Sequence, residues 1–175
     1  MSIYNNKHVV FEQVGVDSDT VVWNQSTNTD GDGAYNNYEI SNIRNAVLPT
    51  KALALSNELY ATLTNTTIQT AKNGNSSTLV STSDKTFILA VKEVSSFNYN
   101  SVQQEFNALT RLGWYVSHNQ ASDRIKYNSS NVACGYYLRS PYTGTTQYIM
   151  RVREYGDILG YDAADNQNIA QCFAY

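Results

Sequence analysis

Asn28, Asp30, Asp32, Gly33 and Glu39 stand at positions 1, 3, 5, 6 and 12 of a calcium-loop spacing. Oxygen ligands at alternate positions, a glycine for the sharp bend and a glutamate able to bind through both oxygens suit a hard cation. The first position carries Asn where the pattern usually has Asp, which removes one charge. Val21-Val22-Trp23, ahead of it, reads as strand and not as the helix such a loop follows. The expected reading is therefore an Asx-rich turn, with calcium as the alternative. No other cofactor is expected.

The remaining candidates for chemistry are few. His8 and His118 are the only histidines, and neither stands near a second ligand in sequence. No serine sits in the Gly-x-Ser-x-Gly pattern that exposes a hydrolase nucleophile. Asp and Glu total 15, with no local arrangement that singles out a glycosidase pair. Catalysis is not expected. Cys134 and Cys172 are the only cysteines. They could close the last third of the fold with one disulfide, but buried free thiols are equally common. A chain assembled in a reducing cytoplasm would keep them apart, and free thiols are the expected state.

Composition narrows the class. Of 175 residues 42% are hydrophobic and 15% charged, which marks a globular chain, and its size suits one domain. Asn, Ser and Thr supply the polarity, together with 14 tyrosines. Tyr and Asn make a neutral, adaptable contact surface, although strand propensity alone also enriches Tyr and Thr. The net charge is −3 with no run of Lys or Arg, so nucleic acid is not an expected partner. No stretch is long and apolar enough to span a bilayer, so no membrane insertion is expected. The first residues lack a basic-then-apolar leader pattern, and release by cell lysis, as for a virion part, is the expected route out.

One stretch concentrates unusual side chains. Cys134-Gly135-Tyr136-Tyr137-Leu138-Arg139-Ser140-Pro141 holds two tyrosines, an arginine and one of two prolines. In a charge-poor chain, an arginine between Leu138 and Ser140 needs a fixed acceptor, and Pro141 ends the strand. The stretch resembles the Trp-Trp-Leu-Arg-Ser-Pro hallmark of a bacterial and phage domain of unknown function (DUF6273-like), with tyrosines for the tryptophans. Tyr38-Glu39-Ile40-Ser41-Asn42-Ile43-Arg44 is similar to that family's Tyr-x-x-Ser-x-Ile-Arg element. Ser83-Asp84-Lys85-Thr86-Phe87-Ile88-Leu89, followed by Glu93-Val94, is similar to its Ser-Asp-Lys-x-Phe-Leu-Leu … Glu-Val element. The family's closing Val-Arg-Pro is absent, and Ile169 to Tyr175 stands in its place. The motif order resembles that of C-type-lectin-like modules. The resemblance implies structural anchors at Arg44, Glu93, Tyr136, Tyr137 and Arg139, with Glu93 the first choice as partner of Arg139.

These side chains must be held by local elements. Residues 8–14 and 20–24 read as a hairpin turning at 15–19, within an N-terminal segment 1–25 ahead of a family-like body 38–175. Ser41 caps a short helix to about Val47, which Pro49 should end. Helical turns follow within 51–63, with Ser56 as a cap and Leu59 and Leu63 facing inward. A second hairpin pairs 68–70 with 77–80 across Asn73-Gly74-Asn75. Lys85 to Val91 reads as a central strand. Ser101 and Gln104 form a capping box for a helix carrying Val102, Phe106, Leu109 and Leu112, with Gly113 as its stop. Thr146 to Arg153, Ile158 to Tyr161 and Ile169 to Tyr175 read as strands. The expected fold class is α+β, a single C-type-lectin-like module with a curled antiparallel sheet and two or three short helices.

From these features the expected function is non-enzymatic recognition by a phage virion or fibre, binding a host-cell glycan or protein. The expected contact residues are Tyr142, Tyr155 and Tyr161, with Asn128, Asn131 and Asp157, because rings and amides serve such surfaces. The alternative is a structural virion part, a head decoration or fibre subunit, whose same residues touch other virion proteins. Either would suit a closed homo-oligomer such as a trimer.

Overall fold

The computed structural model describes residues 2–4, 8–17, 19–24 and 35–174, with backbone only for 2–4, 8 and 9. The described chain is α+β. Thirteen short strands form several small antiparallel sheets, none closed into a barrel, and five α-helices of four to six residues lie among them. Helices this short are not stable alone, so their form depends on what they pack against.

The four-stranded sheet has the order β1-β2-β13-β6, from β1 (Ser2–Tyr4), β2 (His8–Glu12), β13 (Cys172–Ala174) and β6 (Thr86–Phe87). The first hairpin expected from sequence is thus not formed: β2 pairs with β1 and β13, and β3 (Val21–Val22) pairs with β12 (Asn166–Gln167). The reason lies in the intervening turn, whose backbone is bound elsewhere. Val16 N–H donates to Tyr127 O and Asp17 N–H to Ile169 O. The second hairpin forms as β4 (Thr66–Ala71) against β5 (Leu79–Asp84).

Pro49 does not end the first helix. Residues Ile43–Val47 are a π-turn, where the Leu48 N–H reaches back to Ile43 O, and α1 (Leu48–Leu53) continues from it. The wider turn leaves Pro49 in the first turn of α1, where its missing N–H is not needed. Ser56 caps α2 (Asn57–Thr62) by accepting the Leu59 N–H at 3.2 Å; Leu63 is buried and Leu59 only half-buried.

The expected central strand is also shorter than its apolar run. Ile88, Leu89 and Ala90 leave the sheet after β6 and lead into α3 (Val91–Val94), although all three are buried. Their backbone groups are taken by Arg139 and Glu93 instead of a neighbouring strand. The expected long helix is two. α4 (Gln103–Ala108) ends at an extended Leu109, and Gly113, read as a stop, opens α5 (Gly113–Ser117). Ser101 does not cap α4, because its hydroxyl donates to Asn98 Oδ1 at 2.8 Å. Leu112 is held at the break by a bond from its N–H to Glu93 O at 3.0 Å.

The hallmark becomes β9 (Tyr136–Pro141), all six residues buried. It edges a three-stranded sheet with β10 (Tyr148–Val152) and β11 (Ile158–Asp162). Tyr137 meets Trp23 edge-on with centroids 5.5 Å apart, and Trp23 lies 5.9 Å from Tyr38, forming an aromatic core. A two-strand ribbon, β7 (Lys126–Tyr127) and β8 (Ala133–Cys134), precedes it after a 3-10 turn at Ala121–Arg124.

Candidate functional site

The three stretches that carry the family resemblance are one another's partners. Arg139 sends Nη1 to Glu93 Oε2 at 2.6 Å and Nη2 to Glu93 Oε1 at 2.7 Å, a two-pronged bond with both side chains 0% exposed. Its Nη1 also donates to Ile88 O at 2.7 Å, and its N–H to Leu89 O at 2.9 Å. Glu93 takes the Ala90 N–H at 2.8 Å. Arg44 sends Nε to Asp84 Oδ1 at 2.9 Å and Nη1 to Glu39 O at 3.0 Å. Ser41 Oγ accepts the Arg44 N–H at 3.2 Å and donates to Tyr38 O. One ion pair ties the first stretch to the second, and the other ties the second to the third.

Beside this pair sits a second carboxyl that the sequence reading missed. Glu105, 1% exposed, accepts the Thr70 hydroxyl and the Ala71 N–H at 2.7 Å each, and the Ser140 hydroxyl. Ser140 Oγ in turn accepts the Val91 N–H at 2.9 Å. Burial raises the Glu105 pKa above its usual 4.5, against the opposing pull of these donors and Arg139. Every member is buried and engaged, so the cluster is a scaffold that locks α3, α4 and β4 onto β9.

Ser117 Oγ lies 3.0 Å from His118 Nδ1, the one Ser–His contact in the described residues. The same nitrogen faces Trp114 O at 3.0 Å, and the ring stacks on the Trp114 indole at 3.6 Å. No carboxylate orients the ring among the described residues, so this pair lacks the third member of a triad.

A cleft of about 450 Å³ opens between β2 and the segment running from Leu112 to Lys126. Most of its polar groups satisfy one another, while Asp123, also in its lining, accepts the Gln120 N–H at 2.8 Å. Lys126 Nζ donates to Gln13 O at 2.6 Å and lies 3.2 Å from Glu12 Oε1, while Tyr115 OH donates to Glu12 Oε2 at 2.8 Å. What remains facing the opening is largely apolar: Val10, Phe11, Ile125 and Leu112, with Val14 (92% exposed) and Trp114 (52% exposed) towards solvent. Burial pushes the phenols of Tyr115 and Tyr136 up, which keeps both as neutral donors. Tyr136 OH donates to Arg124 O at 2.9 Å.

The contact residues expected from sequence do not converge. Tyr142 packs on the side of β11 that a Gly160 side chain would occupy, its ring 2.4 Å from where that Cβ would stand. Tyr161, the next residue along β11, points to the opposite face, where the Arg151 guanidinium covers it at 3.7 Å. Tyr155, 68% exposed, lies in the turn at the far end of the β10–β11 hairpin from Tyr142 and Tyr148. Asn128 Oδ1 accepts the N–H groups of Ser130 and Val132 at 3.0 Å each, and Asn131 (φ 58°) occupies the left-handed position of that turn. Asp157 pairs with Arg153, four residues before it, at 2.8 Å. These polar side chains shape turns. Of the calcium-loop residues, Asn28, Asp30, Asp32 and Gly33 lie outside the described residues; Glu39 uses its carbonyl to hold Arg44 and Asn45.

Cys134 and Cys172 are both free, Cys134 half-buried and Cys172 buried. Burial pushes the Cys172 thiol well above its usual pKa, so little reactive thiolate forms. A thiol-reactive dye should therefore modify Cys134 in the native protein and reach Cys172 only after unfolding. Equal labelling of both without denaturant would contradict the buried placement.

The arrangement defines an α+β module whose hallmark strand is buried and cross-braced, with an apolar cleft at β2 and α5. A family model described as "Domain of unknown function (DUF6273)" matches residues 12–170, and the chain belongs to that family. No curated protein and no solved structure gave a match.

Proposed function

We propose that this chain is a non-enzymatic, C-type-lectin-like recognition module of a phage virion or fibre, binding a glycan or protein on the host-cell surface. The reading places the contact surface at the cleft beside β2 and not at the tyrosine-bearing turns. The observation that carries it is an apolar cleft, its ion pair internally satisfied, with the half-exposed Trp114 towards solvent. Indole rings of this kind dominate binding energy at recognition surfaces. The reading is also supported by the engagement of Ser140, Glu93, Glu105 and Arg139 in the scaffold, which leaves none of them accessible to a substrate.

The test is attachment of purified, labelled protein to bacterial cells and to their extracted surface glycans. Trp114→Ala should weaken attachment by about tenfold or more while leaving unfolding nearly unchanged, since exposed positions typically shift stability by under about 0.5 kcal/mol. Tyr155→Ala should leave attachment intact. If neither cells nor glycans are bound, and light scattering shows Trp114→Ala dissolving a homo-oligomer, the same cleft is a subunit contact and the protein a structural virion part.

A further inference from the structure

On the other flank of α5 lies a second, shallow groove of about 510 Å³, lined by Lys92, Ser96, Asn107, Thr110, Arg111 and Val116 among others. Its charges are one-sided. Lys92 makes no ion pair among the described residues; its Nζ lies over the Phe106 ring at 4.3 Å. Arg111 is steered by neutral acceptors, Asn119 Oδ1 at 3.0 Å and Val116 O at 3.5 Å. Among the described residues no carboxylate lines the groove, because the acidic residues of the flanking helices turn inward: Glu93 of α3 to Arg139, and Glu105 of α4 to Ser140. Two cations with no anion among them, on a chain of net charge −3, form a local reversal of sign.

We propose that this groove is an oxyanion-binding subsite that takes the carboxylate, phosphate or sulfate of an acidic saccharide. A guanidinium held in one orientation matches a planar or tetrahedral oxyanion through paired N–H groups, and the ammonium of Lys92 adds a mobile point charge. Ser96, Asn107 and Thr110 supply hydroxyl and amide groups for the sugar hydroxyls, which a saccharide uses and an acidic peptide lacks. The groove is open to solvent, so the attraction is screened by salt and acts at contact range. The inference adds a ligand class to the recognition reading but stands on its own geometry.

The experiment is a titration, followed by calorimetry and NMR, with four probes: a galacturonate oligosaccharide, a sulfated oligosaccharide, a neutral malto-oligosaccharide and a hexaglutamate peptide. The acidic saccharides should bind, and binding should weaken as ionic strength rises. The neutral saccharide and the peptide should bind at least about tenfold more weakly, as should the acidic saccharides to the Lys92→Gln, Arg111→Gln double variant. Lys85→Gln, a charge change outside the groove, should leave this binding within about twofold. Equal binding of the neutral probe, an unaffected double variant or no binding at all overturns the proposal. Equal or tighter binding of hexaglutamate overturns it in favour of an acidic peptide. Attachment to cells that fails while the acidic saccharide still binds through Lys92 and Arg111 sinks the recognition reading alone, and the reverse result sinks only this subsite.

Discussion

Arg139→Met should destabilise the protein by about 3–5 kcal/mol, because it leaves Glu93 buried and charged without its partner. Domains of this kind hold only about 5–15 kcal/mol in total, so the variant should unfold at much lower denaturant. Glu93 would keep the Ala90 N–H, but one neutral donor does not replace two charge-assisted bonds. Arg139→Lys should also lose stability, since an ammonium cannot serve both Glu93 oxygens and Ile88 O from a planar fork. The decisive measurement is the double variant Arg139→Met, Glu93→Leu. Removing both charges should cost less than removing either, the signature of a pair whose desolvation opposes its attraction. Additive losses in urea titrations would show that the two side chains do not act on each other.

Glu105 should reveal itself through pH. Its folded-state pKa is raised above 4.5, so the folded chain holds the proton more tightly than the unfolded one. The stability it contributes is then full below about pH 4.5 and is lost as pH rises through the folded-state value, with a slope of at most about 1.4 kcal/mol per pH unit. In Glu105→Gln that decline should vanish. The Gln carbonyl can accept from Thr70 and Ala71, and its amide can donate to Ser140. Glu105→Ala should instead cost about 3–5 kcal/mol, since it strands the Thr70, Ser140 and Ala71 donors around a cavity. A Glu105→Gln protein that is weaker than wild type by the same amount at every pH would rule out this account.

The difference between these two carboxyls explains how much was legible in the sequence. Arg139 announced a partner because a charge flanked by Leu138 and Ser140, ahead of a proline, has no route to solvent in a strand. Glu93 followed from the resemblance. Glu105 gave no such signal: on a short helix after Gln103 and Gln104 it reads as a solvated side chain. Its burial is set by β4 and β9, elements about 35 residues away on either side. Element types were readable where the pattern was local, as in the β4–β5 hairpin or the Ser56 cap. They failed where distant groups claimed the backbone, as for Val16 and Asp17 in the first expected hairpin. The cleft was invisible for the same reason, since Glu12, Tyr115 and Lys126 come together only in the folded chain. Strand geometry spreads the expected tyrosines over two faces, because Tyr142 packs at Gly160 and the neighbouring Tyr161 faces the opposite way.

The placement of β13 between β2 and β6 has a consequence for how the molecule is made. The local hairpins can close as soon as they leave the ribosome, within microseconds of exposure. The four-stranded sheet cannot, because its interior strand β13 arrives about 160 residues after the one it joins, a separation nearly matched by the Asn168–Asp17 bond. Until then β2 and β6 present unpaired edges, and the nascent chain is a template for aggregation. This sheet is therefore completed by the closing of a seam. A chain lacking Cys172–Ala174 should keep its hairpins but persist as a sticky, protease-sensitive intermediate, and β13 acts as the checkpoint between the open and the closed sheet.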